Sequence, residues 1–339
     1  MKKVIIVLAV LLSMVGVAQA GDKPSVIRVG YVGNAFGKSY ASGAAGALDA
    51  LSLLEEEFKN DGIKFEKTYY KATGPGLNEA FSAGLLDFGS YGDLPAVVGK
   101  AGGLKTKFVL SSGVGNNIYI LVPPESNISS IKELKGKKVA VTKGTYLHLT
   151  LNRLLDANGL TEKDVRLVNL SIADAQAALA SKGVDAFVST PDRPLVDQGL
   201  AKSIYDTRKD PLKWRGRGGV VVTEEFASKY PDITRRVVKC YLKASYWSSQ
   251  EKNKEAFIQL ALKTGATYKY TKEDYEGQLL KDRVSPVIDD ATVNAFKEIV
   301  EFSYQRGLIR KKYDVDEWID KSYSEAALKE LGLEKFWAK

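Results

Sequence analysis

A single histidine, His148, and a single cysteine, Cys240, are all the chain offers of the two side chains that most often do nucleophilic or general-base work. A serine triad needs a histidine beside a nucleophile presented on a motif such as GxSxG, and no such run occurs. His148 has no HxxxH partner and no neighbouring cysteine, so the usual metal geometries are not assembled around it, and no cofactor is expected. It lies in the helical pattern of Leu147, Leu149 and Leu151 and reads as a buried or capping imidazole. A lone Cys240 forms neither an intramolecular disulfide nor a cysteine metal cluster. Lys143-Gly144-Thr145 has the look of a phosphate loop, but a GxxxxGK[ST] spacing is absent, which excludes a P-loop.

What remains is chemistry that holds an anion without transforming it. Lys143-Gly144-Thr145 follows the strand pattern Val139–Val141 and precedes a helix beginning at Leu147; Thr73-Gly74-Pro75 precedes a helix over Gly76–Ser82. The first turn of a helix leaves N–H groups without intrahelical acceptors and carries partial positive charge, so two such ends across a cleft would grip an oxyanion. Ordinary helix capping by threonine and glycine is the competing reading. Asp93 and Asp192 each precede a proline by two residues and read as caps of the following helices. Arg193, Arg215 and Arg217 offer forked donors suited to oxyanions, against the alternative of solvated surface arginines. Phe36, Tyr40, Tyr91, Tyr119 and Tyr146 fall in or beside these segments; they would suit the apolar part of an organic acid, or serve packing alone.

The elements that must position these residues alternate as strand and helix. Val26–Val32 reads as a strand, Ala44–Phe58 as one amphipathic helix, Ile63–Tyr70 as a strand, and Leu86–Gly89 as a short buried strand. The pattern then recurs with strands at Val139–Val141, Val165–Leu170 and Val184–Val188 and helices at Leu147–Ala157 and Ala173–Ser181. Residues 80–97 lie over 177–196, pairing Gly84 with Gly183, Asp93 with Asp192 and Pro95 with Pro194; Asp87 and Asp185 require one gap. Two similar α/β lobes follow, each a mostly parallel doubly wound sheet, with a helical part from Pro231 onward. The segments 108–124 and 214–226, both marked by glycine, are the expected crossings, giving lobe 1 as residues 21–112 and 215–339 and lobe 2 as 113–214.

Lys2-Lys3, the apolar run Val4–Val17 and Ala18-Gln19-Ala20 form a secretory signal pattern, with cleavage expected after Ala20. Removing it leaves 319 residues and lowers the formal charge from +8 to +6, 47 basic against 41 acidic. No basic arm or nucleic-acid motif accompanies that modest excess, so nucleic acid is not an expected partner. The sequence shows no second apolar run long enough to cross a bilayer, which argues against a sensory ectodomain.

The segments "GPGLNEAFSAGLLDFGSYGDLPAV", "LKGKKVAVTKGTYLHLTLNRLLDANGLTEKDVRLVNL", "ADAQAALASKGVDAFVSTPDRPLV" and "TEEFASKYPD" resemble, in order and spacing, the periplasmic substrate-binding proteins of ABC importers for aliphatic sulfonates, taurine and nitrate. The resemblance implies a type II periplasmic-binding fold (a Venus flytrap), no catalysis, a small anionic ligand, and a monomer that docks on a permease with a separate ATPase. It places pocket loops on Asn34–Gly37 (Asn34, Phe36, Gly37), Thr73–Pro75, Tyr91–Asp93 with Gly92 between, Asn116–Asn117, Lys143–Tyr146 and Thr190–Arg193. Many relatives read Trp-Asp-Pro where this chain has Thr190-Pro191-Asp192, which leaves an aromatic wall to be supplied elsewhere. The rival is an enzyme on the same fold, such as a pyrimidine-precursor synthase, which would need a reactive histidine or cysteine set.

Overall fold

The computed structural model describes residues 23–33, 39–71 and 73–338; the signal pattern and the Asn34–Gly37 loop lie outside them. The first half of the chain runs β1 (Val26–Val32), α1 (Gly43–Ala50), α2 (Leu53–Phe58), β2 (Lys64–Tyr70), α3 (Thr73–Ser82), β3 (Phe88–Gly92), α4 (Asp93–Ala101) and β4 (Thr106–Asn116). The second lobe follows as β5 (Tyr119–Val122), β6 (Lys138–Val141), α5 (Tyr146–Ala157), β7 (Arg166–Asn169), α6 (Ile172–Ala180), β8 (Ala186–Ser189), α7 (Pro194–Asp197) and β9 (Lys202–Asp206). β10 (Gly216–Thr223) returns to the first lobe and leads into the helical part: α8 (Glu224–Lys229), α9 (Pro231–Ser248), α10 (Lys254–Leu262), α11 (Tyr268–Asp274), α12 (Leu280–Arg283), α13 (Asp290–Gln305), α14 (Val315–Trp318) and α15 (Ser322–Leu331).

The strand orders are β2-β1-β3-β10-β4 and β7-β6-β8-β5-β9. Each sheet is mixed. Three parallel strands built by βαβ crossovers carry one antiparallel strand, β10 or β5, which in turn pairs antiparallel with the edge strand β4 or β9. The two antiparallel inserts occupy equivalent places, so the lobes are topological copies of one another.

The repeat extends to single hydrogen bonds. The Arg28 N–H donates to Asp87 Oδ2 at 2.8 Å, and the Lys138 N–H donates to Asp185 Oδ2 at 2.8 Å, so each aspartate ties the middle one of its lobe's three parallel strands. The one-residue gap also has a physical cause. Gly84 ends its helix at φ +68, whereas in the second lobe Lys182, not Gly183, takes the left-handed position, at φ +59.

The single helix expected over Ala44–Phe58 is broken in two. Ser52 stands at φ +49 between α1 and α2, and the N–H groups of Leu51 and Ser52 close back on Ala47 and Asp49. The first crossing also differs from expectation. β4 continues to Asn116, so a boundary at 112/113 cuts a strand, and the chain changes sheets at Asn117-Ile118. The two strands within 108–124 thus belong to different sheets.

In lobe 1 the sheet buries Ile27, Val29, Val220 and Val222 against Leu48, Val237 and Tyr241 on one face. Phe108 and Val221 pack with Leu94, Phe296 and Trp318 on the other. Leu149, from α5 of the second lobe, is fully buried in this latter cluster. One leucine side chain withdrawn from water is worth roughly 2 kcal/mol, so the lobes are held together partly by apolar contact. Among the described residues no helix is long and apolar enough to cross a membrane.

Candidate functional site

Strands β1 and β3 of lobe 1 and β6 and β8 of lobe 2 end at one cavity of about 360 Å³, lined from both lobes and from the segment 261–284. The position is the one expected for ligands in open α/β sheets, beyond the carboxyl ends of strands. Three helices present their first turns to it, α1 and α5 without a side-chain cap. Ser42 precedes α1 and Thr145 precedes α5, and neither hydroxyl accepts a bond from its helix; Thr145 Oγ1 donates instead to the Thr142 carbonyl at 2.7 Å. Thr73 opens α3 with its Oγ1 buried and unpartnered. A fourth helix, α4, is already neutralised at its start, because Asp93 Oδ1 accepts the Leu94 N–H at 2.7 Å.

Threonines stand on both walls. Thr190 Oγ1, like Thr73 Oγ1, is buried without a hydrogen-bond partner. Between them Arg217 lines the cavity from β10. Its backbone N–H is fixed by Asp93 Oδ2 at 2.9 Å, while its Nε is buried with no partner. Burial lowers the Arg217 pKa from its ordinary value, opposed chiefly by the charge of Asp93. Asp93 itself is 1% exposed; burial pushes its carboxyl upward, against the charge of Arg153 and the two backbone donors. The carboxylates on the lining are engaged. Asp274 accepts from Asn117 Nδ2 at 2.6 Å and Arg283 Nη2 at 3.0 Å, and Asp192 Oδ1 accepts the Thr267 N–H at 3.0 Å.

Arg283 also lines the cavity with its Nε buried and unpartnered, and a stretch of the wall is small or apolar: Val32, Ala41, Ala44, Ala45, Leu147, Ile172 and Ala261. Tyr31, Tyr91, Tyr146 and Tyr275 add aromatic surface.

Of the residues expected from sequence, Thr73, Gly74, Tyr91, Gly92, Asn116, Thr145, Tyr146, Asp192 and Arg217 line the cavity together. Asn34, Phe36 and Gly37 lie outside the described residues. Pro75 and Asp93 stand behind the lining, and Lys143, Gly144 and Arg193 turn away for identifiable reasons. The Lys143 N–H donates to Asn169 Oδ1 at 3.0 Å and its ammonium pairs with Glu162 at 2.8 Å. The Gly144 N–H is spent on His148 Nδ1 at 3.3 Å. The two loops nevertheless meet: a Cβ on Gly144, which has φ +74, would sit 3.2 Å from Pro75 Cγ. Arg193, 5% exposed, is neither solvated nor at the cavity; it pairs with Glu273 at 2.8 Å and stacks on Tyr119. Arg215 donates to the carbonyls of Thr207 and Asp210 at 3.1 and 3.3 Å. Asp192 does not cap α7, whose N-terminus has no side-chain cap; its carboxylate is drawn to Thr267 instead.

Sequence reasoning missed the wall formed by Ala261, Thr264, Ala266, Thr271, Asp274, Tyr275, Arg283 and Val284, for which no local motif exists. It also missed Ala41–Ala45, where a run of small residues at a helix start was a readable sign of space kept for something else.

His148 is a buried structural residue. Because Nδ1 accepts from Gly144, Nε2 carries the proton and donates to Glu162 Oε2 at 3.0 Å. That bond, with Lys143 close behind, holds the Glu162 carboxyl down at about 2, from an ordinary 4.5. A carboxyl depressed in the folded state stabilises above its unfolded pKa and loses that contribution as pH falls through the folded one. The melting temperature should therefore decline between about pH 4.5 and 2 in a step that Glu162→Gln removes; the step is small because the group is partly exposed. A pH–melting series on both proteins reads it directly.

The chain matches the NMT1/THI5-like family over residues 58–252. It is 30% identical to a protein of Bacillus subtilis named a putative aliphatic sulfonates-binding protein, over 82% of either chain. A crystal structure described as a putative sulfonate ABC transporter periplasmic sulfonate-binding protein from Methylobacillus flagellatus superposes with a TM-score of 0.79 at 35% identity, covering 92% of this chain and 96% of that one. The fold is also shared by the desulfurization enzyme DSZB, at 15% identity and a TM-score of 0.67, over 90% of this chain and 99% of that one.

Proposed function

The chain belongs to the NMT1/THI5-like family, and we propose that it is the solute-binding component of an ABC importer. In this reading it captures a small oxyanionic organic solute, with a sulfonate as first candidate, and delivers it to a membrane permease driven by a separate ATPase. The observation that carries the reading is a set of donors left without partners on one cavity: Thr73 Oγ1 and Thr190 Oγ1 from opposite lobes and Nε of Arg217 and of Arg283, beside the uncapped starts of α1 and α5. Buried donors without acceptors are costly, and a tri-oxygen anion is the kind of ligand that brings several acceptors to such a set. The engaged state of Asp93, Asp192 and Asp274 leaves no obvious seat for an ammonium, and the alanine-rich wall suits an alkyl chain.

The names of the relatives favour sulfonate over nitrate or carboxylate. Export to the periplasm with cleavage after Ala20, and function as a monomer, complete the reading. Because DSZB shares the fold, the enzymatic alternative needs a physical answer. Both nitrogens of His148 are committed, and Cys240 is buried beneath α2, its Sγ against the Leu53 carbonyl and its thiol pushed up to about 12 by burial. Neither is poised to attack a ligand.

Titration calorimetry with pentanesulfonate, taurine, nitrate and pentylamine, with mass spectrometry of the recovered solute, tests this. Tight binding of an anion recovered unchanged is expected; turnover, or tightest binding by the amine, would overturn it. Thr73→Val and Thr190→Val should each weaken pentanesulfonate about 3- to 10-fold, without lowering the melting temperature of the ligand-free protein, because each removes a hydroxyl that has no partner there.

A further inference from the structure

The wall formed by residues 261–284 belongs mechanically to lobe 1 yet grips lobe 2. Phe257, Leu280 and Val284 make a small core with Trp247 and Tyr275, and the Pro286 carbonyl accepts the Ser111 N–H of β4 at 3.2 Å, which anchors the segment to the first lobe. Arg283 adds to that anchor, its Nη1 donating to the Val114 carbonyl of β4 at 2.7 Å, while a second set of contacts reaches across. The Thr267 N–H meets Asp192 at 3.0 Å, and Lys269 meets Asp197 at 2.5 Å. Glu273 lies between two arginines of lobe 2: Oε2 takes Arg193 Nη2 at 2.8 Å and Oε1 pairs with Arg208 Nη2 at 2.9 Å. Arg193 is held flat in this clasp, its guanidinium carbon 3.7 Å from the centre of the Tyr119 ring and 4.4 Å from that of Tyr270. Arg208 is braced by Asp206 at 2.6 Å.

We propose that Glu273 is a positioning residue for closure: through Arg193 and Arg208 it straps the 261–284 wall over the cleft and sets how long a solute stays inside. Neither Glu273 nor the two arginines lines the cavity, so the clasp acts on the lobes and not on the solute. Its geometry needs all parts at once, since one carboxylate bridges two guanidiniums, one in the loop before α7 and one in the 3-10 turn after β9 of the opposite lobe. A charge-assisted pair of this kind is among the stronger side-chain contacts, and its planar stacking leaves the arginine little other freedom. Removing the charge leaves Arg193 buried without its counter-ion, which favours separation of the lobes.

The inference rests on the binding reading only in its solute arm; the structural arm needs no ligand. Small-angle scattering of ligand-free wild-type protein and Glu273→Gln should show a larger radius of gyration for the variant, with helix content unchanged by circular dichroism. Stopped-flow release of pentanesulfonate should be about tenfold faster in Glu273→Gln, while association changes little. Glu273→Asp, whose shorter side chain reaches only one arginine, should fall between. Identical scattering of wild type and Glu273→Gln would overturn the clasp even if both bind solute tightly. A wild type that ignores pentanesulfonate would instead remove the binding reading and leave the scattering result standing.

Discussion

Replacing Arg217 by methionine should weaken pentanesulfonate binding by at least about 100-fold while moving the melting temperature of the ligand-free protein by only a few degrees. The two halves of this result have one cause. The Arg217 Nε is buried on the cavity without a hydrogen-bond partner, so in the empty protein methionine of similar length keeps the packing and gives up chiefly the charge that faces Asp93, which Arg153 still opposes. Its contribution arises when an oxyanion arrives in a site already withdrawn from water. Truncating one partner of a buried charge-assisted pair costs roughly 2–5 kcal/mol, and about 2.7 kcal/mol is a factor of 100 in Kd. Arg217→Lys separates charge from shape: it keeps a cation but not the fork, and should recover part of the affinity. Calorimetry on the three proteins decides it. An unchanged Kd in the methionine variant would remove Arg217 from the site, and a collapsed melting temperature would make its role structural.

The same residue marks how far the sequence could be read. The alternation of strands and helices, the internal repeat and the two crossings are local signals set by periodicity and by glycine and proline, and they are legible at that level. Loops after strands could be singled out for the same reason. What was not legible is which donors in those loops remain free. Lys143 and Gly144 looked like the most basic and most open part of the anion clamp, yet their N–H groups are taken by Asn169 and His148 and the ammonium by Glu162. Asp192 looked like a local cap and instead holds Thr267, 75 residues away. Such choices are made by tertiary neighbours, which no single-sequence pattern encodes. The free donors turn out to be the less conspicuous ones, two threonine hydroxyls and the Nε of Arg217 and of Arg283.

Gly216 carries the same lesson in packing. In sequence, Arg215-Gly216-Arg217-Gly218-Gly219 reads as a softened strand suited to a return crossing. In the fold Gly216 is buried and opens β10, paired with Asn116, and a Cβ there would lie 2.5 Å from Tyr146 Cδ2 and 3.0 Å from its Cβ. Cγ and Cβ are the least movable part of that ring, and Tyr146 is the first residue of α5, flanked by Thr145 and Leu147 on the cavity wall. Glycine at 216 is therefore required by close approach of the two lobes, not by flexibility. Gly216→Val should force the start of α5 away from β10. Overpacking of this kind costs about 1–3 kcal/mol of stability. The larger effect should fall on binding, because the helix start and Thr145 move off the anion together; a loss of 100-fold or more for pentanesulfonate is expected. Gly216→Ala, which adds the Cβ alone, should give a smaller loss of the same kind. If either variant bound pentanesulfonate as tightly as the wild type, the Gly216–Tyr146 contact would not set the spacing of the two walls, and the anion would have to be held by lobe 1 alone.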